Sequence, residues 1–366
     1  MTDAAARLDA VDDDPCVRLA ARLAADVLAP QAERVDVEGI PAGHVEALAA
    51  AGLLGLFGPV DAGGADAPPP VARRVTELLA GADGATWFVW TQHATPLRAL
   101  VNSANVGLRQ RWLPRLCRNV LGGVAVAHLR RSDGPTVSAR PSANGWVLDG
   151  TASWVTSWGL AEVFLLGAVT PDDRAVLVLL PARAGPGVRP SAPLALAAME
   201  ATGTVRLDVE DLAVDAGDVV DVVPLAEWRR TDAHKTANVT PAVFGLIATV
   251  VGALQEAARR RDEPGGVALA RALAAEAAEV QSAAYRLLDE VPAEQALDER
   301  LSLRAHALEL GVRSATALVA AAGGAGMARS SPAQRLAREA LFHLVQAQTP
   351  PVRRATLARL GQVGGP

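Results

Sequence analysis

The order of apolar positions divides the chain into three stretches. Over residues 17–118 the spacing is helical: Leu19, Leu23 and Val27 fall on one face, and Pro30 is expected to close that first helix. Further helices are separated by glycine-punctuated connections. One of these is Gly52-Leu53-Leu54-Gly55-Leu56-Phe57-Gly58-Pro59, which leads through Gly63-Gly64 into a proline-rich loop at Pro68-Pro69-Pro70. Over residues 122–223 the period becomes two. Strand-like runs cover 124–128, 146–148, 163–169, 175–180 and 205–209, with turn signals at Asn144-Gly145 and Pro171-Asp172-Asp173. Short strands joined by tight turns predict a compact antiparallel barrel or sandwich. After Trp228 the helical spacing returns over 241–261, 267–290, 301–322 and 332–347. On the second of these helices Leu269, Leu273, Val280 and Leu287 share a face, as a bundle requires, and Gly323-Gly324 is placed to cap the third.

The organisation expected from this pattern is mostly α. An N-terminal α-helical domain occupies 1–120, a middle β domain 121–226, and a C-terminal α-helical bundle 227–366. Half of the 366 residues are apolar, enough to bury a sizeable core. The net charge of −5 is spread along the chain, which argues against a nucleic-acid stripe or a polybasic membrane patch and leaves small molecules or other subunits as partners. The longest apolar stretch, 242–254, is too short to span a bilayer and reads as a buried bundle helix. Cys16 and Cys117 stand far apart without metal-ligand spacing, so neither a disulfide framework nor a metal site is expected. Residues 1–14 are acidic, unlike a leader peptide, and the location expected is cytoplasmic. There is no P-loop, strand-borne G-x-G-x-x-G, G-x-S-x-G or H-E-x-x-H. Lys235 is the only lysine.

Three stretches carry a resemblance. The first is Gly52 to Pro59 with Gly63-Gly64. The second is Asn144-Gly145-Trp146-Val147-Leu148-Asp149-Gly150-Thr151-Ala152-Ser153-Trp154-Val155-Thr156-Ser157. The third is Gly323-Gly324-Ala325-Gly326 followed by Arg335 and Arg338-Glu339-Ala340. Together they resemble the acyl-CoA dehydrogenase family. The resemblance implies an N-terminal α-helical domain, a middle antiparallel β-barrel and a C-terminal four-helix bundle around FAD, with FMN, or a site that has lost flavin, as alternatives. It implies that Trp154, Val155, Thr156 and Ser157 lie at the flavin, with Trp154 packing on the ring and Thr156 bonding near its reactive nitrogen. An indole and a hydroxyl two residues apart share one face of a strand, which suits a flat ring with polar edges. The resemblance also assigns Gly323 and Gly324 to the cofactor, and implies a homodimer or homotetramer, with a hetero-oligomer as the alternative.

The chain departs from the family's pattern in three places. Where the family has a T-E-P…G-S-D sequence around the flavin, this chain has Ala127-His128-Leu129-Arg130-Arg131-Ser132-Asp133. His128 and Ser132 are candidates for the cofactor, and Arg130 and Arg131 for an anionic substrate group. Removing an α proton from an acyl thioester needs a carboxylate of raised pKa. The family's usual position for it, nine residues after Arg338, holds Ala347 between Gln346 and Gln348. The alternative position falls on Lys235, beside His234 and near Asp232. The family's R-x-x-F-G, which reaches the flavin pyrophosphate across a subunit interface, is represented by Arg260 and Arg261 without the aromatic. The catalytic candidates are therefore His128, His234, Lys235 and His343. Three functions follow: an FAD-dependent oxidoreductase on an acyl thioester or related small molecule, linked to CoA or a carrier protein; a flavin monooxygenase, which needs no α-proton base; or a non-catalytic, repurposed subunit.

Overall fold

The computed structural model describes residues 11–131 and 133–362. The N-terminal part holds helices α1 (Pro15–Leu23), α2 (Ala32–Glu38), α3 (Ala42–Ala50), α4 (Pro69–Ala82), α5 (Gly84–Asn102) and α6 (Val106–Arg118). Pro30 does not stop the first helix. The backbone widens into a π turn at Ala24–Leu28 and a 3-10 turn at Ala29–Gln31, so the missing proline N–H is absorbed and the chain continues in helix to Glu38. At the start of α5, Asp83 accepts from the backbone N–H of Ala85 at 3.1 Å and from the Thr86 hydroxyl, a side-chain cap on a helix that begins in the core.

The middle part is an eight-stranded sheet: β1 (Gly122–Ala125), β2 (Val137–Ser142), β3 (Gly145–Val155), β4 (Val163–Val169), β5 (Arg174–Pro181), β6 (Val188–Pro190), β7 (Val205–Asp215) and β8 (Val219–Pro224). The pairing order is β6-β7-β3-β2-β4-β5-β8, with β1 beside β4. Most neighbouring strands run antiparallel, as expected, but β1 and β2 both pair with β4 in parallel. The run expected as a strand over 124–128 ends at Ala125, and His128 sits in a 3-10 turn, Ala127–Arg130. Strands β4 and β5 are buried on both faces. Val163, Leu165, Ala175 and Leu177 pack toward α5 and α6, while Phe164, Leu166, Val176 and Val178 pack inside the sheet. The β2–β3 hairpin turns on Ala143-Asn144, since Ser142 pairs with Gly145. Gly145 opens β3 because β7 crosses there: a Cβ would stand 2.2 Å from the Val214 carbonyl oxygen.

The C-terminal part holds α7 (Leu225–Ala237), α8 (Pro241–Arg260), α9 (Pro264–Glu290), α10 (Leu297–Ala322), α11 (Pro332–Val345) and α12 (Pro350–Gln362). Helices α8 to α11 share one core, with Val243, Leu246, Leu273, Leu308 and Leu336 in it. Leu225–Arg260 is a helical run long and apolar enough, by length and composition, to cross a membrane, longer than the stretch read from the sequence; 61% of its most apolar window is buried within the fold. Helices α4 and α8 cross at glycines: a Cβ on Gly245 would lie 2.1 Å from the Glu77 carbonyl oxygen. The Arg335, Arg338-Glu339-Ala340 stretch ties the two helical parts together. Arg338 grips Asp36 of α2 at 3.0 and 2.5 Å, and Arg335 reaches Glu339 at 2.7 Å and Glu33 at 3.2 Å.

Candidate active site

A cavity of about 1340 Å³ opens between the sheet and helices α5, α7 and α11. Its β wall is built by the end of β3. Between Ala152 and Val155 the pairing with β7 is broken by a register shift, and Trp154 takes a left-handed backbone, φ 64°. L residues with a bulky side chain seldom hold that conformation, which is retained where surrounding structure enforces it. The result aims the indole into the cavity, 57% exposed. Thr156, just past the strand, lines the same cavity although it is only 4% exposed. The sequence spacing put these two side chains on one strand face; the structure brings them together through a bulge instead. Val155 turns into the sheet core, and the buried Ser157 donates its backbone N–H to Thr202 O at 2.9 Å, so neither lines the cavity.

A chain of hydroxyls orients Thr156. Thr202 donates to Met199 O at 2.7 Å, which leaves its oxygen to accept from Thr204 at 2.9 Å. Thr204 then accepts from Thr156 at 3.3 Å. Each hydroxyl has one hydrogen, so the Thr156 oxygen is left with lone pairs and no proton to offer. Nothing in the sequence pattern singled out Thr202 or Thr204.

His128 lines the cavity but is 3% exposed. Its Nε2 donates to Gly167 O at 2.9 Å, and burial, the dominant cause, holds the imidazole down at about 4. Its Nδ1 has no partner among the described residues. It is therefore a neutral ring at neutral pH. His343 is corrected as a cavity residue. It packs in the core with its ring 5.2 Å from Trp87, held down at about 3 by burial, and does not line the cavity. His234 is half-buried on α7 and also does not line it. Lys235, one position on, does: it is solvent-accessible but crowded, and desolvation, followed by the charge of Arg98, lowers its ammonium below the usual lysine range.

Arg130 and Arg131 both line the cavity and are both paired. Arg130 holds Asp232 through two bonds of 2.7 Å, and Arg131 holds the exposed Asp133 at 3.0 Å. Ser132 lies outside the described residues. Gln346, Ala347 and Gln348 line the cavity where the resemblance would have put a carboxylate. Among the described lining residues the carboxylates are Asp133 and Asp232, each already bound by an arginine. Arg260, Arg261, Gly323 and Gly324 lie off the cavity. Arg260 pairs with Glu256 on its own helix, and Arg261 bonds the Ala321 and Ala322 carbonyls that end α10 just before Gly323. Sequence reasoning missed Arg98 and Arg304. Arg304 had a readable signal, since it follows Arg300 by four positions and so shares its face of the bundle helix.

Comparison with known proteins agrees with this architecture. Residues 14–119 match the family described as acyl-CoA dehydrogenase, N-terminal domain. The chain is 25% identical over 179 residues to the mitochondrial isovaleryl-CoA dehydrogenase of Pongo abelii, covering 46% of this chain and 42% of that one. It is 28% identical over 221 residues to the dibenzothiophene monooxygenase of Rhodococcus erythropolis (strain XP), covering 58% and 52%. The chain thus spans about half the length, or less, of the curated relatives it matches. The solved structure of glutaryl-coenzyme A dehydrogenase in its glutaryl-CoA complex superposes with TM-score 0.80 at 18% identity, over 97% of this chain and 95% of that one. Its N-terminal region matches the acyl-CoA dehydrogenase N-terminal domain, and its fold is similar to that of a solved acyl-CoA dehydrogenase.

Proposed function

We propose that this protein is an FAD-dependent oxidoreductase whose cavity admits an apolar small molecule, and that it works as a monooxygenase. The observation that carries the flavin reading is the Trp154–Thr156 wall. An accessible indole on a left-handed backbone stands near a buried cavity-lining hydroxyl whose proton is committed to Thr204. The fit to an isoalloxazine is good: a flat apolar surface for the ring and an acceptor for a ring N–H. Trp154 would carry the ring and Thr156 its polar edge. When bound, flavin supplies two-electron transfer and oxygen chemistry. The resemblance assigns Arg260 and Arg261 to the cofactor's outer half across an interface between copies, and their position off this chain's own cavity is compatible with that.

The lining favours oxygenation over desaturation of an acyl thioester. Abstraction of an α proton needs a free carboxylate at the substrate. The carboxylates in the described lining are both held by arginines, and glutamines flank the usual position. Similarity to the dibenzothiophene monooxygenase supports the same choice. Lys235 is the proton-bearing group that remains at the cavity, with an ammonium that desolvation makes readier to release its proton, while the neutral His128 spends its one N–H on Gly167 O. Substrates tethered to CoA or a carrier protein, a homodimer or homotetramer, and a cytoplasmic location complete the reading; the two thiols are free.

The test is spectroscopic. Flavin-loaded protein is mixed anaerobically with acyl-CoA esters of graded length, and separately supplied with NADH, a flavin reductase and oxygen. Oxygen consumption that rises with an aromatic substrate, and no bleaching by any acyl-CoA, is the expected outcome. Bleaching by an acyl-CoA would overturn the oxygenase assignment.

A further inference from the structure

The cavity holds cations that have nothing to bind. Arg73, Arg130 and Arg338, which line it, are neutralised by Asp289, Asp232 and Asp36. Arg98 on α5 and Lys235 on α7 are not: among the described residues, neither side chain has a hydrogen-bond acceptor or an ion-pair partner. Phe57 covers one face of the Arg98 guanidinium, 4.0 Å from its ring centre, so that group is oriented while its N–H edge stays open. Both line the same cavity, where the charge of Arg98 bears on Lys235. A third charge lines the same cavity. Among the described residues Arg304, 4% exposed, is bonded only to carbonyls, at 3.3 Å to Asn238 and 2.8 Å to Gln346 besides Thr236, and its Nε has no partner there. Uncompensated like charges in a concave, partly desolvated site repel each other, and an anion that enters relieves the repulsion.

The surroundings say what the anion is attached to. Phe57, Val124, Val126 and Trp228 line the same cavity and offer an apolar wall. Resting on the reading of this cavity as the substrate site, we propose that Arg98 and Lys235 together bind an oxyanion group, a carboxylate or a phosphate, carried by an apolar substrate. Arg98 supplies a fork to two oxygens, Lys235 a point charge, and the Phe57 side holds the apolar body.

The experiment is calorimetric titration of the purified full chain with benzoate, phenyl phosphate and neutral benzamide, with flavin content measured on the same samples. At least one anion is expected to bind roughly tenfold or more tightly than benzamide. The tighter of the two identifies the group. Arg98→Gln and Lys235→Gln should each remove that preference while leaving benzamide binding and flavin content unchanged. Arg98→Lys, which keeps the charge, should retain part of it and guards against misfolding as the explanation. Equal binding of all three probes, or variants that lose flavin instead of anion preference, would overturn the proposal. Colourless protein that still prefers an anion leaves the inference standing and removes the flavin reading; yellow protein without preference does the reverse.

Discussion

Arg130 grips Asp232 through both carboxylate oxygens, with Nε–Oδ2 and Nη2–Oδ1 each at 2.7 Å. The pair spans from the turn after β1 to α7 and takes a half-buried carboxylate at the cavity out of proton chemistry. Asp232→Asn should therefore lower turnover far less than loss of a catalytic base, which costs on the order of a hundredfold or more. Its cost should appear in stability, about 1–3 kcal/mol, because an arginine is left partly buried without its partner. Steady-state rates beside urea unfolding separate the two; a collapse of rate with unchanged stability would make Asp232 the base.

Trp154 pairs a strained backbone with an accessible side chain. Trp154→Gly relieves the left-handed φ of 64° and removes the indole. Stability is expected to stay within about 1 kcal/mol of wild type, since strain relief offsets lost contact. Flavin content after gel filtration should fall. Full occupancy in the variant would mean the ring does not lie on Trp154.

Gly245 sits in the second turn of α8, where helix propensity alone would favour alanine by about 1 kcal/mol. A Cβ there would lie 2.1 Å from the Glu77 carbonyl oxygen of α4. Gly245→Ala is therefore expected to destabilise by about 1–3 kcal/mol, a sign opposite to propensity, as read by denaturant unfolding. Stabilisation would mean that the two helices do not cross that closely.

His93 joins two parts of the fold, with Nε2 donating to Leu54 O at 3.0 Å and Nδ1 accepting from the backbone N–H of Gly122 at 2.9 Å. Burial is the main cause holding it down to about 4, below its ordinary 6.5. Above pH 6.5 both folded and unfolded chains are neutral there, and stability does not depend on this group. As pH falls toward 4 the unfolded chain takes up a proton that the folded ring refuses, and about 3 kcal/mol is lost. His128 and His343 act with the same sign, so the informative quantity is a difference. Stability of His93→Gln measured from pH 7 to pH 4 should fall less steeply than wild type; parallel curves would contradict the assignment.

Local pattern made much of this legible. The bundle helices α8 to α11 and strands β4 and β5 were readable because their apolar spacing largely matches the faces they bury, although Leu269, read on the buried face of α9, is exposed and Ala270 takes the core position. The Trp154–Thr156 wall was legible as a pair but not as a bulge, since a register shift depends on how β7 runs alongside. Parallel pairing of β1 and β2 with β4 was invisible, because it joins segments that no turn connects. The charges were the least legible. Arg73 is neutralised by Asp289, 216 positions away, while Arg98 meets no carboxylate among the described residues, and nothing near either arginine in the chain distinguishes the two.

Flavin binding tests the central claim most directly. Purified protein, incubated with FAD and passed through gel filtration, is expected to emerge yellow, with a flavin spectrum and FAD released on denaturation. Protein that emerges colourless, with no quenching of tryptophan fluorescence on FAD addition, would contradict the account.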